Sequence, residues 1–162
     1  MPYMSTLSFH KRTFKLRSFA QNLGEIFVHL GDLKDAVKSR RIDRAFGEKI
    51  MLAVTQVNDC RYCSYFHTRQ ALKAGVSEEQ VRQLLAGELG EFPPGQVVAL
   101  AFAQHYAEQG GRPDPQAWQK LVDCYGPAGA RDILAYIRMI TFGNLLGNTF
   151  DYFLFKTGLG RK

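Results

Sequence analysis

The residues best suited to chemistry lie in NDCRYCSYFH, residues 58–67, where two cysteines and a histidine fall within a single short stretch. If this stretch is helical, Cys60 lies three positions before Cys63, and His67 lies four positions after Cys63. Those spacings place all three side chains on one face of a helix. The partial positive charge at a helix N-terminus favours thiolate over thiol, and a neighbouring histidine can accept the thiol proton. The pattern is therefore typical of a dithiol that cycles between two thiols and a disulfide.

The spacing also distinguishes the two thiols and leaves two other interpretations open. Cys63 is the candidate nucleophile because it lies one helical turn from His67, and Cys60 can then convert an oxidised Cys63 into a disulfide. A structural zinc site needs four ligands, usually in two pairs, and the chain has no second CxxC. The remaining histidines and the third cysteine are scattered, at His10, His29, His105 and Cys124. Two inert buried cysteines beside a hydrogen-bonded histidine are the other alternative.

The elements that must position these residues are predicted to be helices. Apolar residues recur mostly at three- and four-residue steps, and no Asn-Gly or Asp-Gly turn separates alternating apolar runs. The predicted helices cover residues 18–39, 44–58, 60–75, 77–88, 94–111, 114–126 and 130–158. The third helix is expected to be capped by Asn58 or Asp59, and the fourth by a capping box of Ser77 and Gln80. The sequence thus predicts a compact all-α fold of six to seven helices.

The last predicted helix is apolar nearly all round, so a lone monomer would leave part of it uncovered. Gly143 and Gly147 lie four residues apart in it and permit a close helix contact, either inside the subunit or across an interface. An exposed apolar helix usually indicates a partner, and another copy of the chain is the simplest one. We therefore expect a homo-oligomer.

Length, composition and charge limit the classes of protein. The 162 residues are 46% hydrophobic and 22% charged, which predicts one folded domain over residues 1–162. No apolar run has the length of a membrane helix, and the N-terminus lacks the apolar core of a secretory signal, so a cytoplasmic location without persistent disulfides is expected. Residues 10–44 carry much of the +6 net charge. No nucleic-acid-binding motif accompanies this basic stretch, and nucleic-acid binding is not favoured.

In the segment GEKIMLAVTQVNDCRYCSYFHTRQALKAGVSEEQVRQLL, eleven residues separate Glu48 from a CxxCxxxH motif, and an Ala-x-x-x-Gly stretch and a short acidic helix follow that motif. It resembles the alkylhydroperoxidase D-like branch of the carboxymuconolactone decarboxylase superfamily. The resemblance is strongest over residues 44–90 and continues more weakly through NLLGNTFDYF. It implies a helical fold.

The resemblance also implies an activity and residue roles. Cys63 would attack a hydroperoxide, and Cys60 would be the resolving and partner-facing thiol. His67 would accept the proton, with Glu48 completing the relay. An external dithiol or protein reductant would reset the pair without cofactor or metal, and the subunits would assemble as trimers or hexamers. On pattern alone, Glu48 would be placed at the surface.

Some family members carry a second histidine between the cysteines, where this chain has Tyr62. A tyrosine is a poor base near neutral pH, so the relay would be simpler and the turnover lower. Tyr65 and Phe66 beside the motif would suit organic hydroperoxides. Two other functions stay open. One is a non-redox, decarboxylase-like enzyme that uses His67 and Glu48 as an acid–base pair, and the other is an oxidant-sensing or ligand-binding module.

Overall fold

The computed structural model describes residues 9–158, without the side chains of residues 16–23 and 25–27. Within that part of the chain the regular structure is helical throughout and contains no strand, which confirms the predicted all-α class. The helices are α1 Leu16–Ser39, α2 Arg44–Asn58, α3 Arg61–Lys73, α4 Glu78–Ala86, α5 Pro94–Glu108 and α6 Pro115–Thr157. The predicted bounds of α2 agree with those observed.

The two helices predicted over residues 114–126 and 130–158 form one element, α6, with a break at Gly126. Gly126 has φ 68° and ψ 167°, a conformation outside the helical region. Pro127 disfavours helical geometry at the residue before it, and glycine accepts the positive φ without a Cβ clash. Residues 9–158 thus form six helices, or seven when the two parts of α6 are counted separately.

Helix α2 forms the centre of the fold and packs against α3, α4, α5 and α6. Its apolar side chains supply much of the core, and Ile50, Leu52 and Val54 are fully buried. The same helix also buries Glu48 and Thr55, which are polar. Buried polar groups are costly unless they are hydrogen-bonded, so these residues need partners from the neighbouring helices.

The junction of α2 and α3 differs from the sequence expectation. Asn58 is the last residue of α2, and Asp59 adopts a left-handed conformation with φ 51°. The N-cap of α3 is Cys60, whose sulfur accepts the backbone N–H of Cys63 over 3.4 Å. The prediction that Asn58 or Asp59 caps α3 was wrong, because the side chain of Asn58 is buried and bonds to Asn144. Elsewhere, the predicted cap of α4 by Ser77 is confirmed.

Basic residues of the N-terminal third form ion pairs and hydrogen bonds within the molecule. The segment of residues 9–15 crosses the last turns of α6, where the backbone N–H of Phe14 donates to Thr149. Lys11 lies 3.4 Å from carboxylate oxygens of both Asp59 and Asp151. Arg12 donates to backbone carbonyls at the end of α5.

None of the helices in residues 9–158 combines the length and the hydropathy that a membrane crossing requires.

Candidate active site

The two cysteines of the CxxC motif are free thiols in unequal surroundings. Cys60 has no exposed surface, whereas Cys63 is half-buried. The hydrogen bond from the Cys63 thiol lowers the pKa of Cys60 from an ordinary 9.0 to about 6, against the opposing effect of burial. The backbone N–H groups of Cys63 and Tyr62 at the start of α3 lower the pKa of Cys60 further. Cys60 is therefore a thiolate near neutral pH.

The interaction between the two thiols has the opposite effect on the pKa of Cys63. Donation to Cys60 raises the pKa of Cys63, and burial raises it further. The two thiols therefore ionise as a pair, and the interaction between them favours the proton on Cys63 and the negative charge on Cys60. The expectation that Cys60 faces a partner does not fit its burial, since Cys60 caps α3 beneath α6. Cys63 is the more exposed residue of the two.

A histidine and a glutamate from different helices meet about one helical turn after Cys63. His67 lies on α3 and Glu48 on α2, and His67 Nδ1 is 2.8 Å from Glu48 Oε2. Their side chains are only 12% and 10% exposed. With Glu48 ionised, Nδ1–H donates to it, which leaves Nε2 as the proton-accepting nitrogen of a neutral imidazole. The surface position that pattern alone predicts for Glu48 is therefore wrong, because the carboxylate is turned inward to meet His67.

Helix α6 forms a third wall of the site, which the sequence analysis did not anticipate. Asn144 and Asn148 are buried, and they extend the polar contacts of α2 across to α6. Asn144 Oδ1 accepts from Asn58 Nδ2 over 3.2 Å, and Asn144 Nδ2 donates to Thr55 Oγ1 over 3.0 Å. Asn148 Nδ2 donates to the backbone carbonyl of Asn58 over 2.7 Å. Two asparagines four residues apart in an otherwise apolar helix are the signal that could have identified this wall.

The two glycines singled out in α6 play different parts. A Cβ built on Gly147 would lie 2.7 Å from the sulfur of Cys60 and 3.8 Å from that of Cys63. A Cβ on Gly143 would meet nothing within 4 Å. The close contact at Gly147 is thus made inside the subunit, against the dithiol.

Aromatic residues surround the accessible side of the motif. Tyr65 is 67% exposed and Phe66 is 55% exposed. The Phe66 ring packs edge-on against the imidazole of His67, with 5.1 Å between the ring centroids. The hydroxyl of Tyr62 accepts from Arg61 and lies 3.4 Å from a carboxylate oxygen of Asp151. Tyr62 is therefore engaged by charged neighbours at the surface.

The zinc-site and inert-cysteine interpretations find little support in the geometry. Among the residues that the structure describes, no group of three or more His, Cys, Asp and Glu side chains could hold a metal ion, so the geometry does not support a zinc site. The third cysteine, Cys124, is exposed on α6. The inert-core alternative has to account for the lowered pKa of Cys60 and for the exposed side of Cys63.

The fold and the site together define an all-α protein with a dithiol at a helix start and a buried His–Glu pair beside it. The sequence profile of the Carboxymuconolactone decarboxylase family matches residues 24–104, which is half of the chain, and the chain belongs to that family. It is also 32% identical over 75 residues to the uncharacterized protein YdfG of Bacillus subtilis (strain 168). That stretch is 46% of this chain and 51% of YdfG, so the chain spans about half the length of that relative.

Proposed function

We propose that this protein is a thiol-dependent oxidoreductase of the alkylhydroperoxidase D-like type that reduces hydroperoxides, organic ones in particular. The observation that carries the proposal is the Cys60–Cys63 pair at the start of α3, where the backbone N–H of Cys63 donates to the sulfur of Cys60, together with the His67–Glu48 pair on α3 and α2. A site of this kind supplies a nucleophilic sulfur, a second sulfur to resolve it and a group that exchanges protons.

The first step uses the accessible sulfur. Cys63 transfers its proton to the Cys60 thiolate or to His67, and its thiolate attacks one oxygen of the hydroperoxide. An S–O bond forms and the O–O bond breaks, so Cys63 is oxidised to a sulfenic acid and the hydroperoxide is reduced. The alkoxide that leaves takes up that proton and departs as an alcohol. Glu48 holds the imidazole of His67 in place for this exchange.

The second step uses the buried sulfur. The Cys60 thiolate attacks the sulfur of the Cys63 sulfenic acid, an S–S bond forms, and hydroxide leaves and is protonated to water. One thiol of an external dithiol then attacks the disulfide at Cys63, and Cys60 leaves as a thiolate. The second thiol of that reductant attacks its own sulfur in the mixed disulfide, which releases Cys63 and oxidises the reductant to a disulfide. The backbone N–H of Cys63 donates to the sulfur of Cys60 and stabilises the thiolate that leaves.

A thiol count on a Cys124→Ser variant tests the proposal. We expect about one equivalent of cumene hydroperoxide to remove both remaining thiols, a dithiol reductant to restore them, and the peroxide to be consumed repeatedly when both reagents are present. A Cys63→Ser variant in the same background provides the inactive control. If the thiols survive the peroxide, the dithiol mechanism is wrong. A single oxidation without repeated turnover would instead assign the pair to an oxidant sensor.

A second function is favoured by the His67–Glu48 pair, which could do acid–base chemistry of the decarboxylase-like kind without either sulfur. A variant with both Cys60 and Cys63 changed to alanine separates the two functions. Peroxide consumption must vanish in that variant, whereas a non-redox activity on a lactone substrate would survive it and would be lost in Glu48→Gln.

A homo-oligomer is part of the proposal. Along α6 several large apolar side chains are exposed on the monomer: Met139, Leu146, Phe150, Tyr152 and Phe153. Burying them against another copy would remove this apolar surface from water. Light scattering after size-exclusion chromatography measures the subunit number. A monomer at micromolar concentration would contradict this part of the proposal.

A further inference from the structure

A cavity between α1 and α6 lies apart from the dithiol, and none of the cysteines, His67 or Glu48 lines it. Its volume is about 120 Å³, and its wall is mainly apolar, with Leu33, Phe142 and Leu145 among its residues. An apolar cavity of about 150 Å³ binds a benzene molecule, so this cavity can take an apolar group of roughly the size of one aromatic ring. The polar groups in its wall determine what else a ligand must carry.

The cavity is open to solvent on one side. Leu30 of α1 and Met139 of α6 both line it, and they are 54% and 38% exposed. The side chain of His29, which also lines it, is 32% exposed. A small molecule can therefore enter from solvent and cover apolar surface that the chain itself leaves in water.

The polar part of the wall is formed by Arg138 of α6 and His29 of α1. Arg138 Nη1 lies 3.2 Å from His29 Nδ1, and the same Nδ1 lies 2.7 Å from Asp32 Oδ2. A ring nitrogen carries either a hydrogen or an accepting lone pair, so Nδ1 cannot donate to Asp32 and accept from Arg138 at once. Because an ionised carboxylate only accepts, the hydrogen at Nδ1 goes to Asp32. The N–H of Arg138 then has no acceptor at this nitrogen.

Arg138 differs in this respect from other arginines of the molecule. Arg41 and Arg61 form ion pairs with Asp132 and Asp151. Among the side chains that the structure describes, no carboxylate forms an ion pair with Arg138, although it is half-buried. A guanidinium presents parallel N–H groups that match the two oxygens of a carboxylate. The wall of the cavity thus offers a cation that has no anion from its own chain.

We propose that this cavity is a second binding site, which takes a small monocarboxylate with an apolar body of about the size of an aromatic ring. The apolar body fills the space between α1 and α6, and the carboxylate accepts hydrogen bonds from the guanidinium of Arg138. Asp32 does not line the cavity, and its charge is engaged by His29. The site therefore combines an apolar interior with one positive charge, which is the complement of such a ligand.

Isothermal titration calorimetry of the whole protein with benzoate and with benzyl alcohol tests the proposal. The two molecules share a ring and have nearly the same size, but only benzoate carries a charge. We expect benzoate to bind saturably and benzyl alcohol to bind roughly 10- to 100-fold more weakly, the usual effect of losing a hydrogen bond between charged groups. Equal affinities would contradict the recognition of a carboxylate. The absence of saturable benzoate binding at millimolar concentration would overturn the proposal.

Substitutions at Arg138 test the charge. Arg138→Met keeps an unbranched side chain without the charge, and it should weaken benzoate binding by roughly 10- to 100-fold while leaving benzyl alcohol within about threefold. Arg131→Met is the matched control, because Arg131 lies on the same helix, is exposed and does not line the cavity. It should leave the affinity for benzoate within about threefold. An equal loss in the two variants would mean that benzoate responds to net charge, and the proposal would be wrong.

A substitution inside the cavity tests the location. Ala135→Leu places additional carbon atoms in the cavity and should abolish the binding of both benzoate and benzyl alcohol. Met139→Trp, which narrows the open side from an exposed position, replaces it if Ala135→Leu does not fold. Unchanged benzoate binding in the folded variant would place the ligand elsewhere and overturn the proposal.

Discussion

Two faces of the same helix, α6, differ in what they enclose. The face toward α2 and α3 carries Asn144, Gly147 and Asn148, with no space for even one added carbon at Gly147. The opposite face, toward α1, borders a cavity of about 120 Å³. Its lining is mainly apolar and comprises His29, Leu30, Leu33, Tyr106, Ala135, Arg138, Met139, Thr141, Phe142 and Leu145. The dithiol face therefore admits few residue types, whereas the cavity face should accept many apolar ones.

The largest contrast is expected between two glycines one turn apart. Gly147→Ala should destabilise the protein by about 1–3 kcal/mol because its Cβ overlaps the sulfur of Cys60. It should also slow disulfide formation, since the sulfur must shift. Gly143→Ala has open space and should stabilise the helix by up to about 1 kcal/mol. Thermal unfolding of the reduced proteins and thiol counts after peroxide measure both effects. Equal unfolding temperatures and equal thiol losses in the two variants would show that Gly147 is no more tightly packed than Gly143.

The next effect concerns the charge on the dithiol face. Because the pKa of Cys60 is lowered to about 6, its thiolate should appear as the pH rises through that value rather than near an ordinary 9.0. Cys63→Ala removes the largest cause of the shift, so the pKa of Cys60 should rise and less thiolate should be present at neutral pH. Thiolate absorbance in the far ultraviolet, recorded in the Cys124→Ser background, follows the titration. A midpoint that does not move would show that the backbone N–H groups, not the Cys63 thiol, set this pKa.

A smaller effect is expected from Lys11, whose charge also lowers the pKa of Cys60, but as the last of its causes. Lys11→Met should move the same titration upward by less than Cys63→Ala does. Its ion pairs with Asp59 and Asp151 are partly exposed, so the loss of stability should stay within about 1 kcal/mol. Lys34→Met, at an exposed position on α1, is the matched control. A shift as large in Lys34→Met would mean that net charge, and not the position of Lys11, is responsible.

The smallest effect is expected on the cavity face. Ala135→Leu adds apolar atoms at a position that lines the cavity and should change the free energy of unfolding by less than about 1 kcal/mol in either direction. Peroxide reactivity should be unchanged, because the added atoms lie on the face turned away from Cys60 and Cys63. Denaturant unfolding and the thiol count check both statements. A loss of reactivity would show that the two faces are coupled.

Much of the fold and part of the site follow from local sequence. Helix α2 was predicted with its observed bounds because its apolar residues recur at helical spacing and its ends carry polar residues. Spacing alone also predicts Cys63 and His67 on one helix, but the predicted start at Cys60 was wrong by one residue, because Cys60 is the extended N-cap of α3. The break at Gly126 was partly predictable, since Gly-Pro disfavours a continuous helix, although the two parts form one element.

The cap of α3 and the position of Glu48 show where local reasoning stops. Asn58 is a good N-cap by residue type, but Thr55, Asn144 and Asn148 surround it, so its polar groups are satisfied in the core. Glu48 has the pattern of a surface glutamate, and only the packing of α3 over α2 brings it to His67. Hydrogen-bond partners distant in sequence therefore determine where the side chains of Asn58 and Glu48 lie.

The sequence by itself determined the helical class, the order of the helices and the spacing that puts Cys63 and His67 one turn apart on α3, with Cys60 just before it. These depend on spacing along the chain, which needs no knowledge of distant contacts. Only the tertiary structure decided which thiol is buried, that Glu48 bonds to His67, and that Gly147 of α6 lies against the sulfur of Cys60. Those features depend on burial and on hydrogen bonds between helices, because the free energy of a charge is set by the groups packed around it.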